Sequence, residues 1–148
     1  ESSSAAPTPA APASVGRTGG TETILVVEDE AALRDFVVIS LQEAGYRVLA
    51  ADGGEAAVRV SAEHAGEIHL LLTDVVLPHM SGRELAGELE RLRPTTKVLY
   101  TSGYTDDAII HHGALIPGTN FISKPISVAD LLRKVREVLD GPGPTAAP

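Results

Sequence analysis

The chain contains no cysteine. It therefore has no disulfide framework, no thiolate metal site and no thiol nucleophile. Aromatic residues make up only 3% of it, so any core must be built from Leu, Val, Ile and Ala. Basic charge is also scarce, with 12 Lys and Arg against 20 Asp and Glu and a net charge of −8. Residues 1–20 hold one acid, Glu1, and one base, Arg17. The whole excess thus falls on residues 21–148, which argues against nucleic-acid binding through the phosphate backbone. No apolar run approaches the roughly 18 residues that span a bilayer, so no membrane contact is expected of this domain. The N-terminus shows neither the charged start nor the apolar stretch of a signal peptide. These features suit a cytoplasmic domain. The chain does not begin with Met, so processing, or a place within a longer polypeptide, is expected.

At 148 residues and 43% hydrophobic content, there is enough material for one core. Glu1 to Gly20 is rich in Ser, Ala, Pro and Gly, and Val15 is its only large apolar residue. Such a segment cannot bury enough surface to offset the entropy of ordering it. We expect a disordered linker over 1–21, one folded domain over 22–140 and a short tail over 141–148.

Within the domain, Ile24-Leu25-Val26-Val27 is a continuous apolar run, as expected of a strand covered on both faces. Leu33, Phe36, Val37, Ser40, Leu41 and Ala44 then recur at helical spacing until Gly45. Tyr46 to Ala50 predicts a second strand, Glu55 to Glu63 a second helix and Ile68 to Thr73 a third strand. Ser81-x-x-Glu84 has the form of a capping box, followed by Leu85, Leu89 and Leu92. Lys97 to Thr101 and Asn120 to Ile122 complete the strands, and Asp106 to His112 suggests a short helix. A second box, Ser127-x-x-Asp130, opens a helix with Val128, Leu131, Leu132, Val135, Val138 and Leu139 on one face. Five strands alternating with five helices in about 120 residues imply an α/β fold of βαβ units, with a parallel sheet and right-handed crossovers. Functional groups then belong at the carboxyl ends of the strands, near a topological switch point.

Four of the five strand ends carry chemistry. The first runs into Glu28-Asp29, the third into Asp74, the fourth into Thr101-Ser102 and the fifth into Lys124. Acids brought together repel and call for a bridging cation. Hard oxygen donors without His or Cys favour Mg2+ or Mn2+ over zinc. A carboxylate can attack phosphorus to give an acyl phosphate, a metal and a Lys can neutralise phosphoryl oxygens, and a hydroxyl can bind the product.

Four stretches carry a family likeness: Ile24-Leu25-Val26-Val27-Glu28-Asp29-Glu30, Leu72-Thr73-Asp74-Val75-Val76-Leu77-Pro78-His79-Met80-Ser81-Gly82, Tyr100-Thr101-Ser102-Gly103 and Phe121-Ile122-Ser123-Lys124-Pro125. In order and spacing they resemble a receiver domain of a two-component response regulator. The resemblance covers residues 22–140. It implies a doubly wound, flavodoxin-like (βα)5 fold with a parallel five-stranded sheet of order 2-1-3-4-5. It also implies that Asp74 accepts a phosphoryl group from the phosphohistidine of a histidine kinase or histidine phosphotransfer domain. Asp29 and Asp74 would bind Mg2+ directly, with the backbone carbonyl of Val76 as a third ligand and Glu28 as a supporting acid. Ser102 and Phe121 would be the switch pair and Lys124 the phosphate-binding lysine, in a Lys124–Pro125 cis peptide. A receiver of this kind promotes its own phosphorylation and dephosphorylation.

Two departures bear on output. Gly103-Tyr104 follows Ser102 where many receivers have Ala and a polar residue, and the Asp106–His112 helix is poorly patterned. The Ser-Gly-Tyr run resembles a subgroup that includes the C-terminal receivers of hybrid sensor histidine kinases. The Ala/Pro/Ser-rich segment ahead of the domain suits that placement, and a stand-alone single-domain regulator is the alternative.

Rival readings remain for the same residues. A small Mg2+-dependent phosphatase with an aspartyl nucleophile would need an acid where Val76 stands. A binding module with the fold but no phosphotransfer would not need the acids, Ser102 and Lys124 together. Glu30 is explained by a helix N-terminus, His111-His112 by a helix end, and Arg133, Lys134 and Arg136 by a solvated basic stripe.

Overall fold

A computed structural model describes residues 19–102 and 120–141, apart from the side chain of Phe121. The short helix expected over Asp106–His112, and Tyr104, lie outside the described residues, as does nearly all of both terminal segments. Five strands form one parallel sheet: β1 (Thr23–Val27), β2 (Arg47–Ala51), β3 (Leu70–Asp74), β4 (Lys97–Ser102) and β5 (Phe121–Ser123). Their order is β2-β1-β3-β4-β5. The described helices are α1 (Ala31–Glu43), α2 (Gly54–Glu63), α3 (Gly82–Leu92) and α4 (Val128–Asp140).

The buried strands follow from their composition. All of β1 and β3 is buried, and alternate side chains feed two cores. Leu25, Val27, Leu71 and Tyr100 pack against Ala57, Leu85 and Leu89 of α2 and α3. Ile24, Val26, Leu70, Leu72 and Leu99 pack against Val37 and Leu41 of α1 and Leu131, Val135 and Val138 of α4. The apolar runs are continuous because each strand must serve both layers. The lateral strand β2 keeps mixed exposure instead.

Local signals set the helix ends. The Ser81 hydroxyl accepts from Glu84 N at 3.0 Å, while the Glu84 carboxylate accepts from Ser81 N at 2.9 Å, completing the capping box. At the second expected box only the first half forms. Ser127 Oγ accepts from Asp130 N at 3.1 Å, whereas the Asp130 carboxylate accepts from Arg133 Nη2 at 3.1 Å. Aspartate is one methylene shorter than the Glu of a full box. Gly45 follows α1 with φ of 104°, a left-handed conformation suited to glycine.

Several expectations need correcting. Val128, placed with the apolar face of α4, is 43% exposed, and Leu92, in the apolar series of α3, is 48% exposed; each is the terminal residue of its helix. Arg136 is not on a solvated stripe. Its guanidinium is buried between Glu22 Oε2 at 2.6 Å, Asp140 Oδ1 at 2.8 Å and the Gly19 carbonyl at 3.0 Å. Neutralised on both sides, it ties the segment entering β1 to the end of α4, so a charge can be accommodated there.

The sheet order reverses between β1 and β3, which open crossovers to opposite sides. That reversal places a crevice at the carboxyl ends of these two strands.

Candidate functional site

Register brings the polar strand ends to one level. Val27 pairs with Thr73, so Glu28 and Asp74 leave β1 and β3 side by side. Asp74 pairs with Thr101 and Ser102 with Ser123. Backbone bonds continue past the strands, with Val75 N donating to Thr101 O at 2.9 Å and Lys124 N donating to Ser102 O at 2.8 Å. Lys124 therefore projects from the same edge, and the Lys124–Pro125 bond is cis.

Gly82 closes the loop after β3. Its N–H donates to Val75 O at 2.8 Å. A Cβ on Gly82 would lie 2.0 Å from the Asp74 carbonyl oxygen and 3.0 Å from its carbon. The first turn of α3 thus packs directly on the backbone of Asp74, at a distance that only glycine allows. This constraint is visible in the structure alone, although the glycine lies within a recognisable stretch of sequence.

Of the expected site residues, Glu28, Asp74 and Ser102 are buried, Asp29 is exposed and Lys124 is half-buried. Ligand oxygens of Glu28, Asp29 and Asp74 lie within 4.8 Å of one another. Lys124 Nζ stands 2.9 Å from Asp74 Oδ2 and 3.3 Å from Glu28 Oε1. Glu28 Oε2 accepts from Glu30 N at 3.0 Å, and Arg34 Nη1 donates to Glu28 O at 2.8 Å. Glu30 and Arg34 thus brace Glu28 from the start of α1. Val76 follows Asp74 by two residues and is 45% exposed. Phe121 lies on β5 opposite Tyr100.

The electrostatics follow from this packing. Burial pushes the Glu28 carboxyl up to about 7, with the Asp74 charge adding to the effect; the Glu30 N–H and Lys124 oppose it. For Lys124, burial works against the ammonium. The hydrogen bond to Asp74 and the charges of Asp74 and Glu28 outweigh it and raise its pKa. A single ammonium thus serves two carboxylates, with a third close by. The donor set is hard oxygen, partly exposed through Asp29, and fits a divalent cation such as Mg2+.

Two hydroxyls complete the site. Ser102 Oγ is fully buried and, among the described residues, is the one buried side-chain polar atom without a hydrogen-bond partner. A polar atom in that condition calls for an explanation. Thr101 Oγ1 donates to Asp74 Oδ1 at 3.4 Å. In the sequence Thr101 stands at a strand end with no evident role, since only the β3–β4 register puts its hydroxyl against the carboxylate.

A family model described as response regulator receiver domain matches residues 24–136. The sensor kinase CckA of Brucella abortus strain 2308 is 37% identical over 121 residues, which make up 82% of this chain but 13% of that protein. The response regulator receiver protein CpdR of the same strain is 33% identical over 116 residues, covering 78% of this chain and 95% of that protein. Among solved structures, the receiver domain from hybrid histidine kinase CckA matches with a TM-score of 0.66 at 32% identity, covering 79% of this chain and 98% of that one.

Proposed function

Because the chain belongs to the response regulator receiver family of two-component systems, we propose that it is a phosphoacceptor switch with Asp74 as its acceptor. The observation that carries this reading is the Lys124 ammonium set between Asp74 and Glu28, inside a cluster of three acids. A carboxylate oxygen of Asp74 attacks the phosphorus of a phosphohistidine on a histidine kinase or histidine phosphotransfer domain. The O–P bond of an acyl phosphate forms, the P–N bond breaks and the imidazole leaves. Asp29, Asp74 and the Val76 carbonyl would hold Mg2+, with Glu28 as the supporting acid. Bound there, the ion supplies charge neutralisation at the phosphoryl oxygens. Lys124, already at Asp74, then binds a phosphoryl oxygen.

Phosphorylation adds about −1.5 to −2 charge units and three strong acceptors. Ser102, whose hydroxyl has no hydrogen-bond partner among the described residues, supplies a donor for one of them. Its movement, together with Phe121, is the switch. To move a two-state equilibrium from 1:99 to 99:1 takes about 5.5 kcal/mol, which several charge-assisted bonds can provide. We place this step in the cytoplasm, where phosphohistidine donors of this kind reside. The CckA likeness supports a receiver within a hybrid sensor histidine kinase, and the near full-length match to CpdR supports a free-standing regulator. Sequencing the gene upstream of Glu1 decides between them.

The test is a titration with beryllofluoride and Mg2+, followed by amide NMR. Wild type is expected to shift at Asp74, Ser102 and Lys124, and Asp74→Asn to stay unchanged. An unresponsive wild type would refute the reading.

A further inference from the structure

We infer that Thr101 is a positioning residue for Asp74, its hydroxyl holding the carboxylate oxygen that Lys124 does not; this rests on Asp74 being the phosphoacceptor. Lys124 Nζ donates to Oδ2 at 2.9 Å and Thr101 Oγ1 to Oδ1 at 3.4 Å. The torsion that turns a carboxylate is soft, without the sharp wells of a saturated bond. Donors on both oxygens define the plane of a carboxylate more tightly than a donor on one. The plane sets which lone pair meets the phosphorus.

Thr101 is well placed for this role. It faces Asp74 in the β3–β4 register and is 4% exposed. Its branched Cβ restricts χ1, so the strand itself aims the hydroxyl. Thr101 also lines a small cavity, of about 10 Å3, with Glu28, Leu72, Val37 and Ile126. In these mostly apolar surroundings a hydrogen bond to a charge is strengthened. The position lies on the core face shared with Leu99, where valine would fill the same space. The hydroxyl, not the shape, distinguishes threonine here. At 3.4 Å the contact is longer than a usual O–H···O bond, and contacts of this type shorten when the reacting geometry forms.

The experiment compares wild type, Thr101→Val and Thr101→Ser for phosphoryl uptake from acetyl phosphate at fixed Mg2+, alongside urea stability. Removing one hydrogen bond to a charged group should slow Thr101→Val by about tenfold. Thr101→Ser retains the hydroxyl and should stay within about twofold of wild type, although it loses a buried methyl and should be the less stable variant. A merely structural role predicts the opposite order, with activity following stability. Thr101→Val reacting at the wild-type rate, or Thr101→Ser as slow as Thr101→Val, would overturn the inference. Should Thr101→Val not fold, Thr101→Ala stands in for it in the same comparison with Thr101→Ser. Failure of wild type itself to take up a phosphoryl group would instead overturn the receiver reading, and the inference with it.

Discussion

Replacing Gly82 by alanine gives a prediction whose sign separates two physical effects. Within a helix, Gly→Ala ordinarily stabilises by up to about 1 kcal/mol. At Gly82 the new methyl would stand 2.0 Å from the Asp74 carbonyl oxygen and 3.2 Å from Val75 Cα. A comfortable separation is roughly 3.5 Å. These neighbours are backbone atoms and cannot rotate aside. The same segment is pinned by Gly82 N to Val75 O and by Val75 N to Thr101 O. Overpacking of this kind costs about 1–3 kcal/mol, and the immobile neighbours place it at the upper end. Setting about 3 kcal/mol of clash against about 1 kcal/mol of propensity leaves a net loss near 2 kcal/mol. The internal control is Gly87, in the same helix with nothing within 4 Å of its Cβ position. Gly87→Ala should stabilise. Urea unfolding reads both, and a 2 kcal/mol loss lowers the midpoint by roughly 1 M and Tm by roughly 8 °C. A Gly82→Ala protein as stable as Gly87→Ala would refute the close approach of α3 to Asp74.

Other outcomes follow from the charges. The Glu22 carboxyl is held below its usual range, chiefly by the hydrogen bond from Arg136. Its stabilisation is therefore present above the unfolded pKa of about 4.5 and lost as pH falls through the lower folded value; Glu22→Gln should flatten that acid limb in pH-dependent unfolding, and an unchanged limb would count against the clamp. Glu28 behaves in the opposite sense, its folded pKa of about 7 lying above the model-peptide value. In chelator-treated protein its favourable contribution is complete below about pH 4.5 and is lost as pH rises through 7, so Glu28→Gln should gain stability relative to wild type across that window. A constant difference between the two proteins would contradict this. Asp29 is exposed and belongs to the acid cluster, so Asp29→Asn should leave Tm nearly unchanged while weakening Mg2+ by about tenfold; equal Mg2+ affinity by calorimetry would exclude it as a ligand.

Much of the architecture was legible because local and global demands agree. Ile24–Val27 and Leu70–Leu72 are continuous apolar runs because both sheet faces are covered. Ser81 and Glu84 announce the start of α3 by satisfying its first N–H groups. The strand ends could be read as one constellation once the parallel order was expected. The rest depends on tertiary contact. Arg136 looks like any surface arginine until Glu22, far away in sequence, closes on it. The hydroxyl of Thr101 matters only through cross-strand register, and Gly82 only because α3 starts against Asp74. Val128 kept the helical period yet is 43% exposed, as the first residue of its helix.

The central claim is that Asp74 becomes an acyl phosphate. The most direct test incubates the protein with acetyl phosphate and Mg2+, reduces any acyl phosphate with borohydride and maps the altered residue by peptide mass spectrometry. The prediction is modification at Asp74 alone, absent without Mg2+ and absent in Asp74→Asn. Label at another carboxylate, or an unmodified Asp74 in protein that binds Mg2+, would contradict it.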